Sequence, residues 1–133
     1  MQEATDLQAQ YDIHTVHVYK QHLFIADASG NSVVVEWKQG KMETLSVPRC
    51  TNFEVTWGVT AGKCDRFDTI AAAQAMKPSM TVEEAMRLTD MVHLEEEDSL
   101  TQWSNVYHMS DFTVDIALDR NYRNLLHLSR DDF

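Results

Sequence analysis

An α+β fold, with a largely antiparallel sheet or sheets and helices packed on the sheet, is what three observations in this 133-residue chain predict. Strand-like patterns open the chain, two helix patterns fill its middle, and strand-like patterns close it. The candidate strands are joined by short turns, which pair neighbours antiparallel. There is no internal repeat and no linker long enough to separate domains, so a single domain over 1–133 is expected.

The elements follow in order. A short helix is expected over Glu3 to Gln10, then a run of β-branched and aromatic residues from Ile13 to Tyr19. His22 to Asp27 and Ser32 to Lys38 read as strands joined by Ala28-Ser29-Gly30-Asn31, where Gly30 and Asn31 tolerate positive φ. Lys38-Gln39-Gly40-Lys41 is a second such turn, leading into Met42 to Val47 and completing a three-strand meander. Val33, Val35 and Trp37 share one face, Val34 and Glu36 the other, and Leu23-Phe24-Ile25-Ala26 is apolar on both. Strands of that kind are expected to be covered on both sides. Pro48, without an amide donor, ends the sheet segment, and Gly58 and Gly62 bracket a loop.

Asp65 stands where an N-cap belongs, ahead of Phe67, Ile70, Ala71 and Ala75 on one helical face, and Met76-Lys77-Pro78 stops that helix. The next helix carries a capping box, Thr81 with Glu84, and an apolar stripe of Val82, Ala85, Met86 and Val92. Glu95-Glu96-Glu97-Asp98 reads as a solvated acidic run. Trp103 to Met109 and Thr113 to Leu118 form a further hairpin with Val114, Ile116 and Leu118 on one face, and Asn124 to Leu128 adds a last strand.

Charge narrows the function classes. There are 11 Lys and Arg against 21 Asp and Glu, a net charge of −10, so no basic face is available to displace counterions from nucleic acid or an anionic membrane. Apolar runs are too short to span a bilayer, and the first residues lack the basic start and apolar core of a signal peptide. A cytoplasmic, bacterial location is expected, open to revision if an upstream segment carries a signal. Cys50 and Cys64 are too few for a disulfide scaffold and read as reduced thiols, with one pair across the gap left open. His14 and His17 fall on opposite faces of a strand, which argues against a shared metal, and no metal or cofactor is expected.

Four segments carry more than architecture. The run from His22 to Glu36 holds an apolar strand, an Asp-x-x-Gly turn and a strand ending in Glu. Thr51-Asn52-Phe53 and Cys64-Asp-Arg66-Phe67 follow, and then Gln102-Trp-Ser-Asn-Val-Tyr107 with Asp119-Arg-Asn-Tyr122. In this order they resemble the choloylglycine hydrolase and penicillin V acylase family of N-terminal nucleophile hydrolases. The resemblance covers nearly the whole chain. It implies an αββα sandwich and cleavage of linear amide C–N bonds, as in bile-salt conjugates, penicillin V or related acyl amides, by a cysteine exposed at the mature N-terminus. This chain opens Met1-Gln2 and lacks the Met-Cys start. The resemblance therefore implies the C-terminal portion of such an enzyme, inactive alone and completed by an N-terminal half.

The resemblance also assigns residues. Asn52 matches the family's oxyanion-hole Asn, whose alternative is a loop Asn bonding its own backbone. Arg66 matches an Arg beside the nucleophile, able to lower a thiol pKa or hold a carboxylate; the alternative is a solvated first-turn residue, although a cation there opposes the helix dipole. Trp57, in the loop after Asn52, is a candidate for the acyl pocket, with Trp37 and Trp103 read as packing residues. Cys50 and Cys64 read as structural, with a second active-site thiol at Cys64 the alternative, His22 as a satisfied sheet residue, and His93 as a surface helix end or a cation ligand. The reading from another class is a non-catalytic interaction or ligand-binding module of the same fold. Such a module exposes an apolar face and is expected to self-associate as a homo-oligomer.

Overall fold

The structure, a computed structural model, describes residues 2–11, 22–38, 40–53, 55, 64–96 and 99–132. The stretch Ile13 to Tyr19, the Gly58 to Gly62 loop and Trp57 lie outside the described residues. The chain divides into two compact units, Met1–Asp68 and Thr69–Phe133. Both mix helix with antiparallel sheet, in accord with the α+β expectation.

In the first unit, helix α1 (Gln2–Gln8) precedes the meander β1 (Leu23–Ala26), β2 (Ser32–Lys38) and β3 (Lys41–Leu45), with β2 central and both pairings antiparallel. Asp27 builds the first turn. Its carboxylate accepts the amides of Ser29 (2.9 Å) and Asn31 (3.2 Å), while Gly30 supplies φ +83°. Gly30 alone uses the left-handed region there; Asn31, expected to share it, keeps negative φ. The register sets Leu23 opposite Val35 and Trp37 opposite Met42.

Expected two-sided cover holds for β2, where Val34 and Val35 are fully buried and Glu36 is 2% exposed. It fails for the edge strand β1, where Leu23 and Phe24, on opposite faces, are both exposed. Val55 and Phe67 complete this unit's core, each fully buried aliphatic side chain contributing roughly 1.5–3 kcal/mol.

Helix α2 (Asp65–Met76) begins in the first unit and runs into the second. Phe67 is its buried residue; Ala75, expected on the same face, is exposed. Helix α3 (Val82–Met91) has the capping box the sequence predicts: the Thr81 hydroxyl accepts the Glu84 amide at 3.3 Å and the Glu84 carboxylate accepts the Thr81 amide at 2.9 Å. Lys77 adds an ion pair to Glu84, and these donors hold the Glu84 carboxyl at about 2, the lysine contributing most.

Of the acidic run read as solvated, Glu95 and Glu96 are exposed as expected, while Glu97 and Asp98 lie outside the described residues. Glu95–Glu96 (β4) pairs antiparallel with Ser99–Leu100 (β5), closed by the Leu94 amide on Thr101 Oγ1 (2.9 Å) and the Thr101 amide on the Leu94 carbonyl (3.0 Å). Backbone pairing here overrides side-chain charge. A second meander follows, β6 (Trp103–His108), β7 (Thr113–Leu118) and β8 (Leu126–Leu128), all antiparallel.

Helix α3 packs against β6, with Met86 (3% exposed) and Ala117 (fully buried) in this unit's core. The turn after β7 places Asp119 and Arg120 at φ +49° and +60°, and Arg120 donates to the Thr101 carbonyl at 2.9 Å. Tyr122 Oη lies 2.9 Å from Ser104 Oγ and donates to the Thr89 carbonyl at 3.4 Å, tying helix, sheet and turn together.

Candidate functional site around the N-terminus of α2

The segments around Asn52 and Arg66 converge within the first unit. Thr51 Oγ1 donates to Cys64 Sγ at 3.5 Å, and the rings of Phe53 and Phe67 meet edge-to-face with centroids 5.2 Å apart. The Arg49 guanidinium lies over the Phe67 ring at 5.4 Å. Arg49, Thr51 and Phe53 thus face the start of α2. The residues between them point elsewhere: Cys50 lies within range of the Glu36 charge and Asn52 is exposed. The loop's far end is fixed by the Val55 amide, which donates to Glu36 Oε1 at 2.6 Å.

Cys64, not Asp65, occupies the N-cap, since its carbonyl accepts the first helical bond, from the Asp68 amide at 3.1 Å. That position sets opposing effects on its thiol. Burial pushes its pKa up, but the Thr51 hydroxyl, the Phe67 and Arg66 amides and the Arg66 charge together hold it below the ordinary thiol value. Cys50 moves the other way, because burial and then the Glu36 charge raise it. Both cysteines are free, and they face different neighbours.

Asn52 stands exposed on a loop held on either side, and among the described residues its side chain has no hydrogen-bond partner. Arg66 is half-buried and acts electrostatically on Cys64. His22 approaches Glu36 with Nδ1 3.6 Å from Oε1, as a satisfied sheet residue would. His93 pairs with Asp90 and Glu95 (Nε2 to Oε1 3.1 Å) and lies 5.8 Å from the Tyr122 ring, so its contacts are structural. Of the tryptophans read as packing residues, Trp37 is half-buried while Trp103 is 61% exposed. Among the described residues no three His, Cys, Asp or Glu side chains are grouped to hold a metal ion, and no helix is long and apolar enough to cross a membrane.

Thr51 and Glu36 were not singled out as site residues by the sequence. Thr51 carried no signal beyond its place beside Asn52. Glu36 did carry one, a carboxylate sharing a strand face with Val34. Comparison of the chain with protein-family models, curated proteins and solved structures returns no match.

Proposed function

We propose that the chain is the C-terminal portion of a cysteine N-terminal nucleophile hydrolase that cleaves linear amide C–N bonds, the substrate class being bile-salt conjugates, penicillin V or related acyl amides. The observation that carries this reading is the convergence of the Thr51-Asn52-Phe53 and Cys64-Asp-Arg66-Phe67 segments, with Asn52 left free between anchored neighbours.

In this reading the N-terminal half supplies the nucleophilic thiolate, which adds to the amide carbonyl. The Asn52 amide N–H donates to the oxyanion that forms. The C–N bond then breaks as the proton taken from the thiol by the α-amino group passes to the leaving amine, and water hydrolyses the thioester to the acid, returning the thiol. Arg66 tunes or positions the nucleophile, and Trp57 lines the acyl pocket. An oxyanion donor is typically worth about 100-fold or more in kcat. Asn52→Ala in the polypeptide of the complete reading frame is expected to lose that factor, measured as amine released from an acyl amide. The 133-residue chain alone is expected to release none. Hydrolysis by this chain alone, abolished by alkylating Cys50 or Cys64, overturns the reading.

One observation favours the second reading, a non-catalytic homo-oligomeric module. Trp103, Tyr107, Leu118 and Leu126 are 61%, 63%, 53% and 46% exposed on the β6–β7–β8 sheet. The register sets Trp103 opposite Leu118, so the patch is shared by neighbouring strands. A module of that kind self-associates; a monomer by light scattering at tens of micromolar counts against it.

A further inference from the structure

Glu36 is the only charged side chain buried among the described residues, and it lies on the central strand of its sheet. A carboxyl group is stable in such a place only when hydrogen bonds replace its water. Its Oε1 accepts the Val55 amide at 2.6 Å across 19 residues of sequence, with His22 Nδ1 3.6 Å away. Val55 is itself 2% exposed and follows Asn52 by three positions. At the loop's other end Thr51 is held by Cys64 and Phe53 by Phe67.

The buried carboxylate therefore grips the segment that carries Asn52, whose side chain has no hydrogen-bond partner among the described residues. We propose that Glu36 is the positioning residue for Asn52: by holding the Val55 amide it fixes the backbone from which Asn52 presents its N–H. This role rests on the oxyanion function proposed for Asn52. Glu36 touches neither substrate nor reacting atoms, so its whole effect on turnover passes through Asn52. A displacement of about 1 Å in a group that stabilises a transition state costs on the order of 100-fold.

The test is a double-mutant cycle on the polypeptide of the complete reading frame, read as kcat and KM for amide hydrolysis. Glu36→Ala is expected to lower kcat by about 10- to 100-fold with little change in KM. Glu36→Gln, which keeps an acceptor oxygen, is expected to restore most of that loss. In the Asn52→Ala background Glu36→Ala is expected to cost nothing further. A merely structural carboxylate gives the opposite result, an equal further loss in that background, and this outcome overturns the proposal while leaving the hydrolase reading intact. If Glu36→Ala does not fold, Glu36→Asp, which withdraws the carboxylate by one methylene, carries the same cycle. Absence of hydrolysis from the unsubstituted polypeptide overturns the hydrolase reading, and this role with it.

Discussion

The two three-stranded meanders share a topology and differ in where they put their polar groups. In β1–β2–β3 the central strand is buried through Val34, Val35 and Glu36, and its carboxylate reaches a distant loop amide. In β6–β7–β8 the burial on the central strand falls on Val114 and Ala117, Leu118 is exposed, and the histidine–carboxylate contacts, His127 with Asp115 and His108 with Asp111, each at 3.0 Å, have exposed imidazoles. Solvent screens contacts of that kind, whereas removing one partner of a buried polar link leaves the other unpaired and costs more. The first sheet is built to fix a loop, the second to carry a helix on α3's side.

The contrast breaks or sharpens under substitution. Phe67→Ala empties the first unit's core and is expected to cost about 3–5 kcal/mol in urea denaturation. Trp103→Ala, on the exposed face of the second sheet, is expected to change stability by less than about 0.5 kcal/mol. Equal losses for the two end the distinction. Thr81→Ala in the second unit removes the N-cap oxygen and should cost about 1 kcal/mol, readable as a fall in the denaturation midpoint.

The thiols give a chemical version of the comparison inside the first unit. Below the ordinary thiol pKa of 9.0, iodoacetamide should label Cys64 faster than Cys50, as peptide mass mapping would show. Thr51→Val and Arg66→Gln should each narrow that difference. Equal labelling of both thiols in the unsubstituted chain means the helix cap does not activate Cys64.

Acid and base probe the second unit with the smallest effects. His93 has its pKa raised, chiefly by its hydrogen bond to Glu95, against some desolvation. Its stabilising contribution is therefore complete below the ordinary histidine value of 6.5 and is lost as pH rises through the raised value. Glu84 works in the opposite sense: its contribution is present above 4.5 and is lost as pH falls toward about 2. Thermal midpoints recorded against pH should fall at both ends, and His93→Gln should remove His93's part of the alkaline limb and, because His93 is what chiefly lowers Glu95, weaken the acid limb as well.

What was legible in the sequence was local. The Asp27–Gly30 turn, the Thr81–Glu84 box and the stop before Pro78 each depend on residues within four positions, and each is found where the pattern places it. Asp65 gives up the N-cap because the first helical bond runs from the Asp68 amide to the Cys64 carbonyl, one residue earlier than the pattern suggests. The exposure of Leu23 and Phe24 depends on what flanks an edge strand, and the pairing of Glu95–Glu96 on backbone bonds that side-chain charge does not announce. At the site, Asn52 and Arg66 were named through a resemblance, while the link between Glu36 and Val55 spans 19 positions and leaves no periodic trace.

The anchoring of residues 49–53 carries a consequence for what this protein can tolerate over evolutionary time. Arg49, Thr51 and Phe53 each reach the start of α2, while Cys50 lies toward Glu36 and Asn52 is exposed. A stretch pinned at several points accepts exchanges of like for like at each position, but a one-residue insertion or deletion within it moves every later anchor off its partner. The quantity under constraint in that stretch is its length more than its composition. Related sequences aligned over it should vary in residue type and keep the count.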